Sequence, residues 1–447
     1  MTSAADAINA ALQNATTIVG STVTDPSSIP AAPSVPAGGA SELVINTTAT
    51  GAISIPAGYQ YVVINDPNPV TITGSDAVII NSNTTGGSSF SVTGNSTVLA
   101  AGGNNTFNLG TGSANGSTYS MTSGPGDDTV YAGGSGTIQP GGGTNVVVDP
   151  GNNLIVSTGT NDLIVGSSGV TSIQASGPGA QILGASGDTM YVTMTGSNGI
   201  AAANGATVSV NLGGSGNTLV GGSAAETVMA STGGLMFGGS GNITFVGGST
   251  ASTLVGGANG SEAVSVGSGG VLFAASSGNA GTVTSGTGTA TLFGSSNTTI
   301  TFNGSLQGAI YVAGSGNETL NASGGSTNNI IVGGADTAGA NSLVGGTGND
   351  TIFAGGGSDT MVTGNGNDAA VFFKSNTHGA HNFITDFNPS NDTLWLLGYD
   401  STKSASNLVD NASTVGGGVT LTLSDNTKIT FTNLTSSSQL YGKIFYG

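Results

Sequence analysis

The sequence lacks cysteine and arginine altogether, and its four lysines all lie after residue 373. Without cysteine the chain forms no disulfide and carries out no thiol chemistry. Residues 1–373 hold 17 acidic residues and no lysine or arginine. Because binding to phosphate groups requires a basic face, nucleic acid is not expected as a partner. Cations, either as metal ions or as a basic surface, are the natural counterpart of such a chain.

Long apolar segments are also absent. No stretch of about 20 apolar residues is present, so no transmembrane helix is expected. The first residues, MTSAADAINAALQNATTIVGS, contain neither a basic region nor a continuous apolar core, so a Sec signal peptide is not expected. Charged residues make up only 6% of the chain, against about 25% in globular proteins. The 36% of hydrophobic residues nevertheless argue against a disordered acidic tail.

Glycine is abundant, with 80 residues in 447. Short apolar clusters such as NLIV, NTLVGG, ITFVGG and NIIVGG are each followed by a glycine-rich turn, which is typical of strands. Similar segments recur with starting positions that differ by 36 to 38, as GGLMF at 233 and GGVLF at 269 illustrate. A strand and turn of this length cannot bury its own apolar side. The repeats therefore predict an all-β fold, a parallel β-solenoid from about residue 42 to 372 in which stacked neighbours form the core.

Residues 345–371 form three consecutive blocks of nine, GGTGNDTIF, AGGGSDTMV and TGNGNDAAV. Each block has an aspartate at its sixth position: Asp350, Asp359 and Asp368. The blocks resemble the nonapeptide GGxGxDxUx, with U a large apolar residue, of the RTX (hemolysin-type calcium-binding repeat) family. The resemblance implies a β-roll whose turns bind calcium through aspartate carboxylates and backbone carbonyls. Since successive turns alternate sides, we expect Asp350 and Asp368 to face one calcium ion and Asp359 to lie on the opposite edge.

The resemblance also implies that glycines of these turns contribute to the calcium sites. Calcium prefers six to eight oxygen ligands, and glycine lets the backbone turn tightly enough to direct carbonyls inward. A weaker copy of the block, SGPGDDTVYAGG at 123–134, adds Asp127 and Asp128 to the candidate ligands. Turns with Asn, Ser or Thr at the sixth position are expected to close by hydrogen bonds, including ladders of asparagines. The glycines in question are Gly346, Gly348, Gly355, Gly357, Gly364 and Gly366.

The C-terminal sequence ITDFNPSNDTLWL, residues 384–396, resembles the segment that follows the repeats in type I secreted RTX proteins. That resemblance implies export through an uncleaved C-terminal signal and folding on calcium outside the cell. The segment GGGVTLTLSDNTKITFTNLT predicts a hairpin with Asp425 and Asn426 at its turn. We predict four divisions. Residues 1–41 contain a helix over 3–18 and a proline-rich linker, and residues 42–344 form a degenerate solenoid. Residues 345–372 are the RTX repeats, and residues 373–447 form a C-terminal β cap and secretion domain. The helix caps the solenoid, docks on a neighbouring molecule or is disordered.

No catalytic motif stands in its required context. HExxH, GxSxG, phosphate-loop and dinucleotide-binding patterns are absent, and His378 and His381 read as loop histidines, so an enzyme is not expected. Two functions remain open. One is a secreted, calcium-dependent structural protein that assembles with its own copies as a surface layer, filament or matrix. The other is a secreted adhesin or a ligand-binding solenoid for cell-surface glycan or ice, although Thr218, Thr253 and Thr291 recur singly rather than in paired rows.

Overall fold

The computed structural model describes residues 15, 17–110, 117–258, 260–304, 308–335, 339–377, 379–399, 404–414 and 416–447. The chain divides into two compact units, Met1–Val220 and Gly221–Gly447. Strands dominate both units, and in each unit nearly every strand pairs in parallel with the strand two positions along the chain. This arrangement is a parallel β-solenoid and confirms the predicted all-β class.

The described residues of the N-terminal unit form 21 strands and a 3₁₀ helix at Pro26–Ser28. The strands are β1 (Ile18–Val23), β2 (Ala40–Asn46), β3 (Ala52–Ser54), β4 (Tyr61–Asn65), β5 (Thr71–Ser75), β6 (Val78–Asn81), β7 (Gly86–Thr93), β8 (Ser96–Ala100), β9 (Asn104–Leu109), β10 (Thr118–Thr122), β11 (Thr129–Ala132), β12 (Ser135–Gln139), β13 (Val146–Asp149), β14 (Asn152–Ser157), β15 (Leu163–Gly166), β16 (Gly169–Ala175), β17 (Gln181–Leu183), β18 (Asp188–Met194), β19 (Ile200–Ala202), β20 (Thr207–Leu212) and β21 (Thr218–Val220). Even-numbered strands from β2 onward form one parallel sheet. Odd-numbered strands from β3 onward form the other.

The start of this unit differs from the sequence expectation. Residues 1–14 and 16 lie outside the described part, so the predicted helix over 3–18 is not confirmed, and its last residue, Ile18, begins β1. Strand β1 pairs in parallel with β2, which extends the parallel pairing upstream of residue 42. The proline-rich segment packs back on the sheet, because the hydroxyl of Tyr59 donates to the carbonyl of Pro30 at 3.2 Å.

The described residues of the C-terminal unit form a further 21 strands, two short helices and a 3₁₀ helix at Ser437–Leu440. The strands are β22 (Glu226–Ala230), β23 (Leu235–Phe237), β24 (Ile243–Gly247), β25 (Ser252–Val255), β26 (Ser261–Ser265), β27 (Val271–Ala274), β28 (Ala280–Thr284), β29 (Ala290–Phe293), β30 (Thr299–Asn303), β31 (Ala309–Val312), β32 (Thr319–Asn321), β33 (Ile330–Val332), β34 (Ser342–Val344), β35 (Thr351–Phe353), β36 (Thr360–Val362), β37 (Ala369–Phe373), β38 (His381–Ile384), β39 (Thr393–Leu397), β40 (Val419–Thr422), β41 (Lys428–Phe431) and β42 (Ile444–Tyr446). The helices are α1 (Lys374–Thr377) and α2 (Ala405–Asp410).

Two parallel sheets also build the C-terminal unit. The even sheet runs from β22 through β38 to β41. The odd sheet runs from β23 through β39 to β42. Leu235 pairs with Thr253, and Thr253 pairs with Leu272 on the next strand of the same sheet. The interval between GGLMF and GGVLF in the sequence therefore corresponds to two coils.

Alternation along each strand places the core between the sheets. In the three-residue strands other than β42 only the central residue is buried, as in β35, where Ile352 is fully buried and Thr351 and Phe353 are half-buried. Parallel pairing in register stacks these central residues into columns. One column of the odd sheet consists of Met236, Leu254, Phe273, Leu292, Tyr311, Ile331, Ile352, Ala370 and Leu394.

The end of the C-terminal unit continues this pairing beyond residue 372. Strand β39 joins the odd sheet beside β37, and β38 joins the even sheet beside β36. Strands β40 and β41 form the predicted hairpin, with Asn426 in the left-handed region at φ +67° in its turn. The role of this region as a cap stays a prediction. Among the described residues, no helix is long and apolar enough to cross a membrane.

Candidate metal centre

The three RTX blocks place their aspartates just before strands of alternating sheets. Asp350 precedes β35 and Asp368 precedes β37, two neighbouring strands of the odd sheet. Asp359 precedes β36 in the even sheet. A step of two blocks thus stacks Asp350 and Asp368 in adjacent coils, while Asp359 belongs to the column of the other sheet. All three side chains are buried.

Asp350 closes its own turn and the turn of the preceding coil. Its Oδ2 accepts the N–H of Gly346 at 2.6 Å, four residues earlier in the same turn. Its Oδ1 accepts the N–H of Asn329 at 2.6 Å and the side-chain amide of the same residue at 3.0 Å. One carboxylate therefore satisfies backbone donors of two stacked turns, which would otherwise be buried without partners.

The same contact repeats up the stack and forms a ladder of backbone N–H groups and side-chain oxygens. Oδ1 of Asp368 accepts the N–H of Asp350 at 2.7 Å. Oδ1 of Asp392 accepts the N–H of Asp368 at 3.2 Å. On the other edge, Asn341 donates its N–H to Oδ1 of Asp359 at 3.0 Å. Asparagine and aspartate both serve in these ladders, so the predicted hydrogen-bonded closure of the asparagine turns is present in the fold.

Asp368 differs from the other two aspartates because one of its oxygens is left over. The N–H of Gly364, which corresponds to that of Gly346 in the first block, donates to Oδ2 of Asp386 at 2.8 Å instead. Oδ2 of Asp368 is buried and has no hydrogen-bond partner among the described residues. A buried carboxylate oxygen without a donor is costly unless a proton or a cation neutralises it.

The loop 386–392 brings two more carboxylates to the same turn. Oδ1 of Asp386 accepts the N–H of Thr363 at 2.7 Å and its hydroxyl at 3.0 Å. The hydroxyl of Thr363 also donates to Oδ2 of Asp392 at 3.1 Å. Asp392 takes the ladder position of the next coil, directly before β39, and its Oδ2 accepts the N–H of Asn388 at 2.8 Å. The resemblance of this loop to secreted RTX proteins does not by itself identify Asp386 and Asp392 as ligands.

Four carboxylates of one edge repel each other here. Burial raises the pKa of Asp368 to about 7. The hydrogen bond from the N–H of Asp350 lowers this pKa, whereas the negative charges of Asp392, Asp350 and Asp386 raise it further. Burial also raises the pKa values of Asp350 and Asp392. No lysine or arginine precedes residue 374, so the blocks themselves hold no positive side chain that offsets these carboxylates.

The glycines of the blocks are required by close approach between coils. Gly364 has φ +93°, and a Cβ on it would lie 2.0 Å from the carbonyl oxygen of Gly346. A Cβ on Gly366 would lie 2.1 Å from the carbonyl oxygen of Gly348. Gly355 is similarly placed against a carbonyl of the coil before it, and Gly357 has φ +82°. The glycines thus let carbonyl oxygens of the preceding coil approach the turn closely, and carbonyl oxygens are among the ligands that calcium accepts.

The weaker copy separates its two aspartates. Asp128 is buried, its Oδ1 accepts the N–H of Asn105 at 2.7 Å, and its Oδ2 has no hydrogen-bond partner in the described chain. Burial raises the pKa of Asp128 to about 6. Asp127 is exposed and accepts the N–H of Thr144 at 2.7 Å. Only Asp128 therefore occupies the position that corresponds to Asp368.

Three glutamates that are not among the predicted ligands stand at the aspartate position of other turns. Glu226 accepts the N–H of Gly222 at 2.7 Å and Glu318 that of Gly314 at 2.8 Å, each four residues back as in the RTX blocks. Glu262 accepts the side-chain amide of Asn279 at 2.6 Å. Each glutamate is buried, and each keeps one oxygen that lacks a hydrogen-bond partner in the described part of the chain. The signal was present in GGSAAETV and AGSGNETL, where glutamate replaces aspartate at the sixth position.

The donor set fits a calcium ion that takes carbonyls as well as carboxylates. Among the described residues, no three His, Asp, Glu or Cys side chains form a metal-binding group by themselves. An ion at the turn of the third block would therefore combine the unpartnered Oδ2 of Asp368 with backbone carbonyl oxygens of the neighbouring turns. The roles of the individual candidate ligands stay predictions. His378 lies outside the described residues, and Nε2 of His381 lies 2.8 Å from the hydroxyl of Thr430.

Comparison with known families supports the calcium interpretation for one segment. Residues 336–369 match the RTX calcium-binding nonapeptide repeat, in four copies. The match covers the first two blocks and most of the third, and it begins upstream of the segment that the sequence analysis delimited. No curated protein and no solved structure matches the chain. The chain thus carries RTX calcium-binding repeats, a motif typical of secreted proteins, within a β-solenoid.

Proposed function

We propose that the protein is an extracellular structural protein that folds on calcium and assembles with its own copies as a surface layer, filament or matrix. RTX repeats within a parallel solenoid support the broader class of extracellular calcium-binding structural or adhesin-like proteins. The assembling role is inferred from a chain built almost wholly of stacked coils. A solenoid presents strand edges and long faces, which are surfaces that copies of a chain can share. No catalytic step is assigned to it.

The observation that carries the proposal is the group of carboxylates at the third block. Asp350, Asp368, Asp386 and Asp392 meet on one edge, where no basic side chain of the described residues is among the groups that shift the pKa of Asp368, and burial raises the pKa of Asp368 to about 7. In calcium-poor cytoplasm these carboxylates oppose folding, and the chain stays open for export through a type I exporter. Outside the cell calcium neutralises them and completes the stack. Calcium that binds the native state but not the unfolded state stabilises the native state by mass action.

The test compares the full chain with a variant that carries Asp350→Ala and Asp368→Ala. Asp25→Ala with Asp76→Ala is the matched control, because both of these carboxylates are exposed and lie outside the blocks. Calcium titration followed by calorimetry and thermal unfolding should show bound calcium and a higher melting temperature for wild type and control. The double variant should lose that ion and most of the rise. Equal calcium binding in all three proteins would show that the proposed ligands are wrong.

Assembly is measured on the same three proteins by light scattering and negative-stain imaging across the calcium titration. Wild type and control should form ordered assemblies as calcium rises, and the double variant should need far more calcium. A wild-type chain that stays monodisperse at millimolar calcium and high concentration contradicts the structural role.

The adhesin alternative is favoured by the outer face of the even sheet in the C-terminal unit. Its outward side chains are mostly hydroxyls and amides, and successive strands align them in register, as Thr227, Thr244, Ala263, Thr282, Thr301 and Asn321 show. Thr282 on β28 pairs with Thr301 on β30, whereas Thr284 pairs with Asn303 and Thr299 with Ala280, so these threonines align in a single row. A glycan array probed with the calcium-loaded protein tests this reading. Saturable binding that Thr282→Val and Thr301→Val abolish would favour it.

A further inference from the structure

The outer face of the odd sheet in the C-terminal unit carries an unbroken apolar column. Parallel pairing in register aligns one outward residue from each of ten strands, β23 to β39 and β42. These residues are Phe237, Val255, Ala274, Phe293, Val312, Val332, Phe353, Val371, Trp395 and Phe445. At about 4.8 Å between strands the column is about 43 Å long. None of its members is polar, and Val371 alone among them is buried.

A second outward column runs beside it, two residues earlier on the nine odd-numbered strands from β23 to β39; the corresponding position before β42 is Lys443 and is not counted in it. It consists of Leu235, Thr253, Leu272, Thr291, Ile310, Ile330, Thr351, Ala369 and Thr393. Aliphatic residues and threonines make up this column, and no charged residue occurs in either column. We call the two columns together the apolar stripe.

Large side chains of the apolar stripe are open to solvent. Seven of them are between 38% and 46% exposed: Phe237, Leu272, Phe293, Ile310, Ile330, Trp395 and Phe445. With about 200 Å² for a large apolar side chain, these seven present about 570 Å². A stable interface buries about 800 Å² on each partner, and the smaller stripe residues between the seven add to the available area. Exposed apolar patches of this extent mark interaction sites.

We propose that the apolar stripe is the surface through which two copies of this chain pack face to face. This inference rests on the proposed assembling function and names the contact that carries it. The absence of charge on the stripe favours a second copy as the partner. The stripe has no group that could pair with a charged partner. Two chains of net charge −18 can nevertheless meet there without burying a carboxylate. The acidic side chains of the neighbouring turns, such as Glu318 and Asp350, are buried in their own coils instead.

Geometry also favours a second copy over an unrelated partner. Two sheets pack face to face when rows of side chains at the same strand spacing interdigitate, and a copy of the stripe supplies that spacing by identity. A two-fold contact is isologous, so the same patch serves both chains. Ile310 is the fifth member of its column of nine, so a centred two-fold contact brings the two Ile310 side chains together.

The principal test places negative charge on the stripe. The stripe variant combines Phe293→Glu, Ile310→Glu and Ile330→Glu, and the matched control combines Thr282→Glu, Thr301→Glu and Thr319→Glu on the outer face of the even sheet. Sedimentation velocity in calcium over a range of concentrations should show association for wild type and control and at least a tenfold weaker association for the stripe variant. Circular dichroism and the melting temperature check that both variants fold.

A second measurement avoids the risk that three glutamates disturb the fold. The chain has no cysteine, so Ile310→Cys and Thr301→Cys each introduce a single thiol. Under an added oxidant, copper phenanthroline with dissolved oxygen, two thiols of facing copies lose their electrons and protons to the oxidant and join as a disulfide. Covalent dimers should form rapidly with Ile310→Cys and at least tenfold more slowly with Thr301→Cys.

The outcomes separate this inference from the proposed function. If wild type, stripe variant and control all associate equally in calcium, the stripe is not the contact while the calcium-dependent assembly stands. If the stripe variant alone fails to associate but wild type associates without calcium, the stripe is supported and the calcium dependence is overturned. A wild type that remains monomeric under every condition overturns both.

Discussion

Glu318 stands at a turn position that aspartate occupies in the RTX blocks, and only one of its two carboxylate oxygens has a hydrogen-bond partner among the described residues. Its Oε2 accepts the N–H of Gly314 at 2.8 Å, while Oε1 is buried without a partner among the described residues. Burial raises the pKa of Glu318 from 4.5 to about 7. Burial also raises the pKa of Tyr311, and the negative charge of ionised Glu318 raises it further. A neutral Glu318 is therefore part of the folded state at acidic pH.

The sign of the resulting pH dependence follows from linkage. Because the folded pKa lies above the unfolded value, the stabilisation is fully present below pH 4.5 and is lost as pH rises through about 7. We expect Glu318→Gln, which keeps an acceptor for Gly314, to be less sensitive to pH than wild type between pH 5 and 8. The difference should be about 1–2 kcal/mol after allowance for solvent screening. Thermal unfolding at a series of pH values measures it, with Asp25→Asn as the exposed control; equal slopes for all three proteins would contradict the assignment.

Gly364 tests the close approach between the calcium turns. An alanine there meets two obstacles, the left-handed φ of +93° and the carbonyl oxygen of Gly346 at 2.0 Å from the new Cβ. Gly416 has a similar φ of +89° with no atom within 4 Å of a Cβ. Gly416→Ala should therefore cost about 1–2 kcal/mol from backbone strain alone, whereas Gly364→Ala should cost clearly more and weaken calcium binding. Similar losses in both variants, measured by urea unfolding with and without calcium, would contradict the clash.

Spacing predicted the stacking of Asp350 and Asp368, because a strict nine-residue step puts alternate turns on one edge. It could not predict Asp386 and Asp392 as neighbours of that turn. Helix α1 and the residues that follow it make the last coil longer, so the separation from Asp368 to Asp392 is 24, against 18 from Asp350 to Asp368. Contact across a coil of irregular length depends on the fold and leaves no period in the sequence.

At the scale of elements, the predicted strands follow from the apolar clusters. Apolar clusters before a glycine-rich turn became strands with buried central residues, as TIF did in β35. Strand β1 escaped prediction because its sequence, IVGSTV, has half of its positions polar or glycine and continues an apparently helical pattern. Pairing with β2, a tertiary contact, decides its conformation.

A core substitution next to the metal turns tests the stacked column. Ile352 is fully buried between Ile331 and Ala370 in the adjacent coils, while Thr351 on the same strand faces outward. Ile352→Ala should lower the free energy of unfolding by about 2–5 kcal/mol, because the rigid stack leaves a cavity. Thr351→Ala should cost less than about 1 kcal/mol. Urea unfolding followed by the fluorescence of Trp395, the single tryptophan of the chain, reads the C-terminal unit directly; equal losses would place Ile352 outside the core.

At the scale of the whole molecule, two effects of added salt have to be distinguished. Any salt screens the repulsion between exposed carboxylates, whereas only a bound cation neutralises the buried ones. Sodium chloride shortens the range of repulsion between exposed carboxylates, to about 8 Å at physiological ionic strength. It does not reach side chains such as Asp350 and Asp368, which are 1% exposed. The buried carboxylates are neutralised only by a cation that loses its bound water and coordinates protein oxygens. Calcium loses its water more readily than magnesium does.

We therefore expect calcium chloride at millimolar concentration to raise the melting temperature of the full chain and to bring copies together. Sodium chloride and magnesium chloride at matched ionic strength should do neither to a comparable extent. Thermal unfolding and light scattering on the same samples measure the two effects separately. If sodium chloride alone produces both, general screening of a chain of net charge −18 accounts for the behaviour and the calcium turns have no part in assembly. If calcium stabilises the chain without association, the turns bind calcium for folding alone, and the adhesin reading replaces the structural one.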